Sequence, residues 1–125
     1  MNSNIRILVV EDDTDSMTLL LHYLKEIGYT NISKTGDPEE ALCLLNNESF
    51  DLIISDHYMP SMTGIEFFKA LRARPAWKDI PFLMTTSEGR KHKITEAISA
   101  GVRSYITKPV DKENLQTKIN RLMNA

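Results

Sequence analysis

Strand-like and helix-like patterns alternate along the whole chain, and nothing else in the sequence restricts its fold so tightly. "IRILVV" (5–10) is a short apolar run rich in β-branched residues. Met17, Leu20, Leu21, Leu24 and Ile27 then recur at helical spacing, and Gly28 is placed to stop that helix. "TNISK" (30–34) is a weaker second strand. "GDPEEAL" opens a second helix, with Asp37 at the N-cap, Pro38 at the first position and Glu40 closing a capping-box pattern. "DLIIS" (51–55), "IPFLMT" (80–85) and "RSYIT" (103–107) are the third, fourth and fifth strands. The third helix is opened by Gly64 and Ile65, carries Ile65, Phe68 and Leu71 on one face, and is ended by Pro75. The fourth has Ser87 as cap, Ile94, Ala97 and Ile98 inward and Gly101 as stop; the last has Asp111 as cap and Leu115, Ile119 and Leu122 inward. Five βα units in one run predict an α/β fold, a five-stranded parallel sheet with helices on both faces. The near-continuous apolar character of strands one, three and four agrees, because such strands are buried on both sides.

The 125 residues suit one domain spanning 1–125. A chain of that length buries a real core without staples. Cys43 is the only cysteine, so no intramolecular disulfide forms, which fits a reducing compartment. The start lacks the pattern of a signal peptide, and no apolar run approaches the ~20 residues of a membrane span. These features predict a cytoplasmic protein without a membrane role. A net charge of −2 carries no electrostatic footprint for nucleic acid, and the one basic cluster, "GRKHK" (89–93), reads as a solvated helix face.

In a doubly wound sheet, ligands bind beyond the carboxyl ends of the strands. After the first strand come Glu11, Asp12 and Asp13; after the third, Asp56; after the fourth, Thr86 and Ser87; after the fifth, Lys108 and Pro109. Close carboxylates repel and raise one another's pKa unless a cation intervenes. A hard divalent ion is the natural answer, and Mg²⁺ suits a site with few carboxylates that also takes phosphate. Lys108 offers a point charge to a phosphoryl oxygen, Thr86 a hydroxyl, and an aspartate can itself become an aspartyl phosphate. Asp13 reads instead as an acid favouring a helix N-terminus.

"VVEDD" (9–13), "SDHYMPSMTG" (55–64), "MTTSE" (84–88) and "ITKP" (106–109) together give the chain its resemblance to the response-regulator receiver domain, similar to the stand-alone chemotaxis type. The likeness spans essentially all of the chain. It implies a flavodoxin-like (βα)5 fold with strand order 2-1-3-4-5. It implies that Asp56 is the phosphoacceptor and that Asp12 ligates Mg²⁺ directly, with Glu11 acting through water and the backbone carbonyl of Tyr58 as a further ligand. Thr86 and Lys108 would contact the phosphoryl group, and Lys108-Pro109 would be a cis peptide. Pro60 and Gly64 match the turn after Asp56. Tyr105 sits where the family carries a switching aromatic, although plain strand packing fits that position equally well. Tyr58 and Glu88 occupy the flanking positions that modulate phosphate lifetime.

The function so implied is that of a two-component response regulator, a switch with self-catalysed phosphotransfer and autodephosphorylation and not an enzyme acting on other substrates. Its donor would be a histidine kinase or histidine phosphotransfer protein. Its output would pass through a face of helix four, strand five and helix five to a separate downstream protein, since the chain carries no effector domain. A monomer, able to dimerise on phosphorylation, is expected, and chemotaxis is one pathway it would suit. The rival is a Mg²⁺-dependent phosphohydrolase with an aspartyl nucleophile. Tyr58 then stands where such an enzyme needs a second aspartate, and the nucleophile follows strand three in place of strand one. A flavodoxin-like electron carrier would need a neutral, amide-rich loop where "EDDTDS" stands. Glu11 replaces the family's commoner aspartate. His22, His57 and His92 lack metal-ligand spacing and read as surface or structural residues, with no role assigned to His57. Cys43 is expected to be half-buried on a helix. Trp77, before strand four, belongs at the end of the sheet away from the acids, so its fluorescence would report poorly on them.

Overall fold

The computed structural model describes residues 4–87 and 91–124, the side chains of 91–94 excepted. The strands are β1 (Arg6–Val10), β2 (Asn31–Thr35), β3 (Leu52–Asp56), β4 (Phe82–Ser87) and β5 (Ser104–Lys108). The helices are α1 (Thr14–Ile27), α2 (Pro38–Asn47), α3 (Gly64–Arg72), α4 (Lys91–Ala100) and α5 (Lys112–Met123). The five strands form one parallel sheet in the order β2-β1-β3-β4-β5. This is the flavodoxin-like arrangement that the resemblance implied.

Alternation along each strand divides the core in two. Leu8, Val10, Ile53, Phe82 and Met84 face α2, α3 and α4, packing on Ala41, Leu45, Phe67, Phe68, Leu71 and Ala97. Ile7, Val9, Leu52, Ile54, Leu83 and Ile106 face α1 and α5, packing on Leu20, Leu24, Leu115 and Ile119. Every residue of β3 is buried, so this strand is the rigid centre of the sheet.

Strands β2 to β5 end one or two residues later than the change in polarity suggests. Asp56 is the last residue of β3, Thr86 and Ser87 lie inside β4, and Lys108 closes β5. The ladder runs on through the polar residues, with Asp56 beside Thr85 and Ser87 beside Lys108. Main-chain pairing is indifferent to the polarity of the side chain it carries. Ser87 is therefore a strand residue, and residues 88–90, between it and α4, lie outside the described residues.

The helix starts follow side-chain chemistry. Asp13, Asp37 and Asp111 each accept a backbone N–H in the first turn of α1, α2 and α5. Asp37 takes the N–H of Glu39. The reciprocal box expected at Glu40 is found at α3 instead. There Thr63 Oγ1 accepts from Glu66 N at 3.1 Å, and Glu66 Oε1 accepts from Thr63 N at 2.8 Å. Those bonds hold the Glu66 carboxyl below its usual value. Two expected positions are corrected. Ile98 points to solvent, 55% exposed, while Ala97 takes the inward place on α4. Cys43 is exposed, because Leu42, Leu44 and Leu45 supply the packing of α2. Trp77 is buried in the connection that enters β4, at the opposite end of the sheet from Asp56, as expected.

Candidate functional site

The carboxyl ends of β1, β3, β4 and β5 meet in an acidic cleft. Glu11 follows β1 and extends its ladder, its N–H donating to Thr35 O at 3.0 Å. That pairing draws Glu11 into the core, where it is 2% exposed. Its Oε1 accepts from Lys108 Nζ at 2.7 Å and its Oε2 from Asp13 N at 3.2 Å. Asp56 is likewise buried, and its Oδ1 lies 3.2 Å from the same Lys108 Nζ. Asp12 is exposed, and one carboxylate oxygen from each of Glu11, Asp12 and Asp56 lies within 4.8 Å of the others.

The charges do not balance. Three carboxylates face one ammonium, a surplus of two negative charges in a partly dry cleft. Burial and the field of Asp56 raise the pKa of Glu11, against the bonds from Lys108 and the Asp13 N–H. Burial pulls Lys108 down, but its bond to Glu11 and the two carboxylate fields outweigh it and hold the ammonium above lysine's usual value. The two directions are compatible: Lys108 has two acids, while each acid has only a share of one ammonium. Such a cluster could hold a cation, and an all-oxygen donor set suits a hard divalent ion.

A hydroxyl near the carboxyl end of β4 is also unsatisfied. Thr86 is fully buried, and its Oγ1 has no hydrogen-bond partner among the described residues. A buried hydroxyl left so costs about 1–3 kcal/mol. The turn after Asp56 is held by Gly64 N donating to His57 O at 2.7 Å. His57 is buried, its N–H donating to Thr85 O and its ring edge-on to Tyr58 at 4.7 Å. It is a structural residue of the turn, and Tyr58 beside it is half-buried. Lys108-Pro109 is cis, as expected. Tyr105 is half-buried on the α3–α4 side, with Lys118 Nζ 5.8 Å from its ring centre. Glu88, and the side chains of the basic cluster at 89–93, lie outside the described residues.

Residues 7–120 match the response regulator receiver domain family. The chain belongs to that family. As a receiver it is 36% identical over 117 residues to the chemotaxis protein CheY of Pseudomonas aeruginosa, covering 94% of each chain. It is 34% identical over 122 residues to chemotaxis protein CheY-3 of Vibrio cholerae, covering 98% of this chain and 94% of that relative. Its structure superposes on the chemotaxis response regulator CheY4 of Vibrio cholerae with a TM-score of 0.85 at 34% identity, over 95% of this chain and 98% of that one. It is thus a receiver of two-component signalling with a CheY-like fold. Among the described residues, no helix is long and apolar enough to cross a membrane.

Of the residues the sequence points to, Glu11, Asp12, Asp56 and Lys108 meet in one cleft, while the Thr86 hydroxyl makes no hydrogen bond to them. Sequence reasoning missed Ser16, whose Oγ lies 3.5 Å from Lys108 Nζ, and Thr85, in register with Asp56. Helical spacing from the Asp13 cap would have turned Ser16 toward the cleft. The receiver should be stabilised on adding millimolar Mg²⁺, because a ligand of the native state alone raises the melting temperature. Chelation should reverse the rise, and Asp12→Asn should shrink it. A melting curve insensitive to Mg²⁺ would count against the cation site.

Proposed function

We propose that this receiver accepts a phosphoryl group on Asp56 and switches a partner-binding face. The observation that carries the reading is the meeting of buried Asp56 with Glu11, Asp12 and Lys108 at the carboxyl ends of three strands. A lone pair of the Asp56 carboxylate attacks the phosphorus of a phosphohistidine on a kinase or phosphotransfer protein. The P–N bond breaks, its electron pair stays on the imidazole nitrogen, and that nitrogen takes a proton from solvent. The new O–P bond makes an aspartyl phosphate.

Asp12, Asp56 and the Tyr58 carbonyl would hold Mg²⁺, with Glu11 acting through water, and the ion would neutralise charge on the phosphoryl oxygens. Lys108 and the open hydroxyl of Thr86 then turn toward those oxygens. Tyr105 repacks and biases the face formed by α4, β5 and α5. Exposed Ile98 supports that face as the place where a separate target docks. We take the protein to act in the cytoplasm as a monomer, with dimerisation on phosphorylation as one route of output; the single cysteine, Cys43, agrees with a reducing compartment. We take the chain to act as one receiver unit with no contact to nucleic acid or membrane. Chemotaxis is the pathway its relatives' names suggest.

Incubation with acetyl phosphate and Mg²⁺ should label the protein at one site, and hydroxylamine should remove the label, as it does from an acyl phosphate. A label stable to hydroxylamine, or none at all, would overturn the reading. Turnover of unrelated phosphoesters would favour the hydrolase. Tyr58 stands beside the reacting group with its ring half-buried against His57, where it restricts water. Tyr58→Ala should lose its phosphate several-fold faster than wild type. An unchanged or slower loss would remove the idea.

A further inference from the structure

We infer that Thr85 is a positioning residue for phosphoryl transfer, its hydroxyl holding the Asp56 carboxyl oxygen that does not receive phosphorus. The inference rests on the reading of Asp56 as phosphoacceptor. Thr85 and Asp56 are direct partners across β3 and β4. Alternation puts both on the α1–α5 side of the sheet, Asp56 in step with Ile54 and Thr85 with Leu83. Thr86 falls on the other side, in step with Met84, so the two threonines are not interchangeable.

Three observations converge on Thr85. It is fully buried. Its Oγ1 has no hydrogen-bond partner among the described residues, whereas buried polar groups are almost always paired. And Lys108, at the end of β5, reaches Asp56 on β3 and Glu11 beyond β1, so its stem crosses β4 on the face where Thr85 stands. In the state described, Lys108 is the donor to Asp56 Oδ1. Once the ammonium turns to the phosphoryl oxygens, that donor is withdrawn, and the hydroxyl next to Asp56 in register is placed to replace it. The carboxyl group then keeps its orientation while the O–P bond forms and the donor's bond to phosphorus breaks.

The test measures labelling by acetyl phosphate in Mg²⁺ across a range of donor concentrations. Thr85→Val keeps the branched shape and loses the hydroxyl, and Thr85→Ser keeps the hydroxyl. Thr85→Val should lower the maximal rate constant about tenfold with the half-saturating donor concentration unchanged, and Thr85→Ser should stay within about twofold of wild type. Thr85→Val should melt no lower than wild type, since it removes an unpaired buried group. If it does not fold, the same comparison is made with Thr85→Ala. Full rates in the hydroxyl-free variant, or equal losses in Val and Ser variants, would overturn the inference while leaving Asp56 as acceptor. A wild-type protein that takes no label overturns both.

Discussion

Replacing Asp56 with asparagine will reduce phosphate uptake to background and leave the fold intact. The amide has the shape of the carboxyl group but lacks the anionic oxygen that attacks phosphorus. Packing is preserved, which matters at a site only 5% exposed in a strand buried throughout. The electrostatic change is favourable. Asp56 is one of the causes that raise Glu11, so its neutralisation leaves Lys108 to Glu11 alone among the buried acids, with exposed Asp12 beside them. Melting of Asp56→Asn should therefore be equal to or higher than that of wild type without Mg²⁺, and its response to Mg²⁺ weaker. Side-by-side labelling and melting separate chemistry from folding. Label on the asparagine variant would show that another residue accepts the group.

Gly64→Ala will be damaging out of proportion to its one added carbon. A β-carbon there would lie 2.7 Å from Asp56 O and 2.9 Å from His57 Cα. Both are backbone atoms at the end of the central strand, so no flexible side chain can give way. Overpacking of this kind costs about 1–3 kcal/mol, or roughly 4–12 °C in melting temperature for a chain of this size. The relief must come from the segment that carries Asp56, so labelling by acetyl phosphate should fall as well, even at temperatures where the variant is folded. Gly36→Ala is the control. Its nearest contact would be Asp12 Cα at 3.5 Å, an ordinary distance, and its stability and labelling should stay near wild type. Equal behaviour of the two variants would show that the turn after Asp56 is looser than described.

Much of this was legible in the sequence because the features concerned repeat or are local. Alternating patterns announced the α/β class, and polar residues where apolar strands run out pointed to Glu11, Asp12, Asp56 and Lys108. What stayed hidden depends on pairing between distant segments. A threonine inside "FLMTTS" reads as a minor interruption of an apolar strand, and only the register with β3 sets Thr85 beside Asp56. His57 had no readable role because its burial follows from β4 and from the turn closed by Gly64. Ile98 was assigned inward because helical spacing admits either of two neighbouring apolar residues, and the packing of α4 selected Ala97. Thr63 and Glu66 were overlooked although T-x-x-E is a local signature, since Gly64 drew the helix start to itself.

The single ammonium divided between two buried acids has a consequence for how fast and how far a signal travels. Lys108 reaches Glu11 and Asp56 at once, but its one charge offsets only one of the two. On the proposed reading, a phosphoryl group on Asp56 would compete with both acids for that ammonium, and one flexible side chain would decide the outcome. The trigger so proposed would require no hinge and no sliding of helices. It would be a local exchange of partners at the carboxyl ends of the strands, of the kind side chains make faster than domains move, and any repacking on the far side of β4 would follow it.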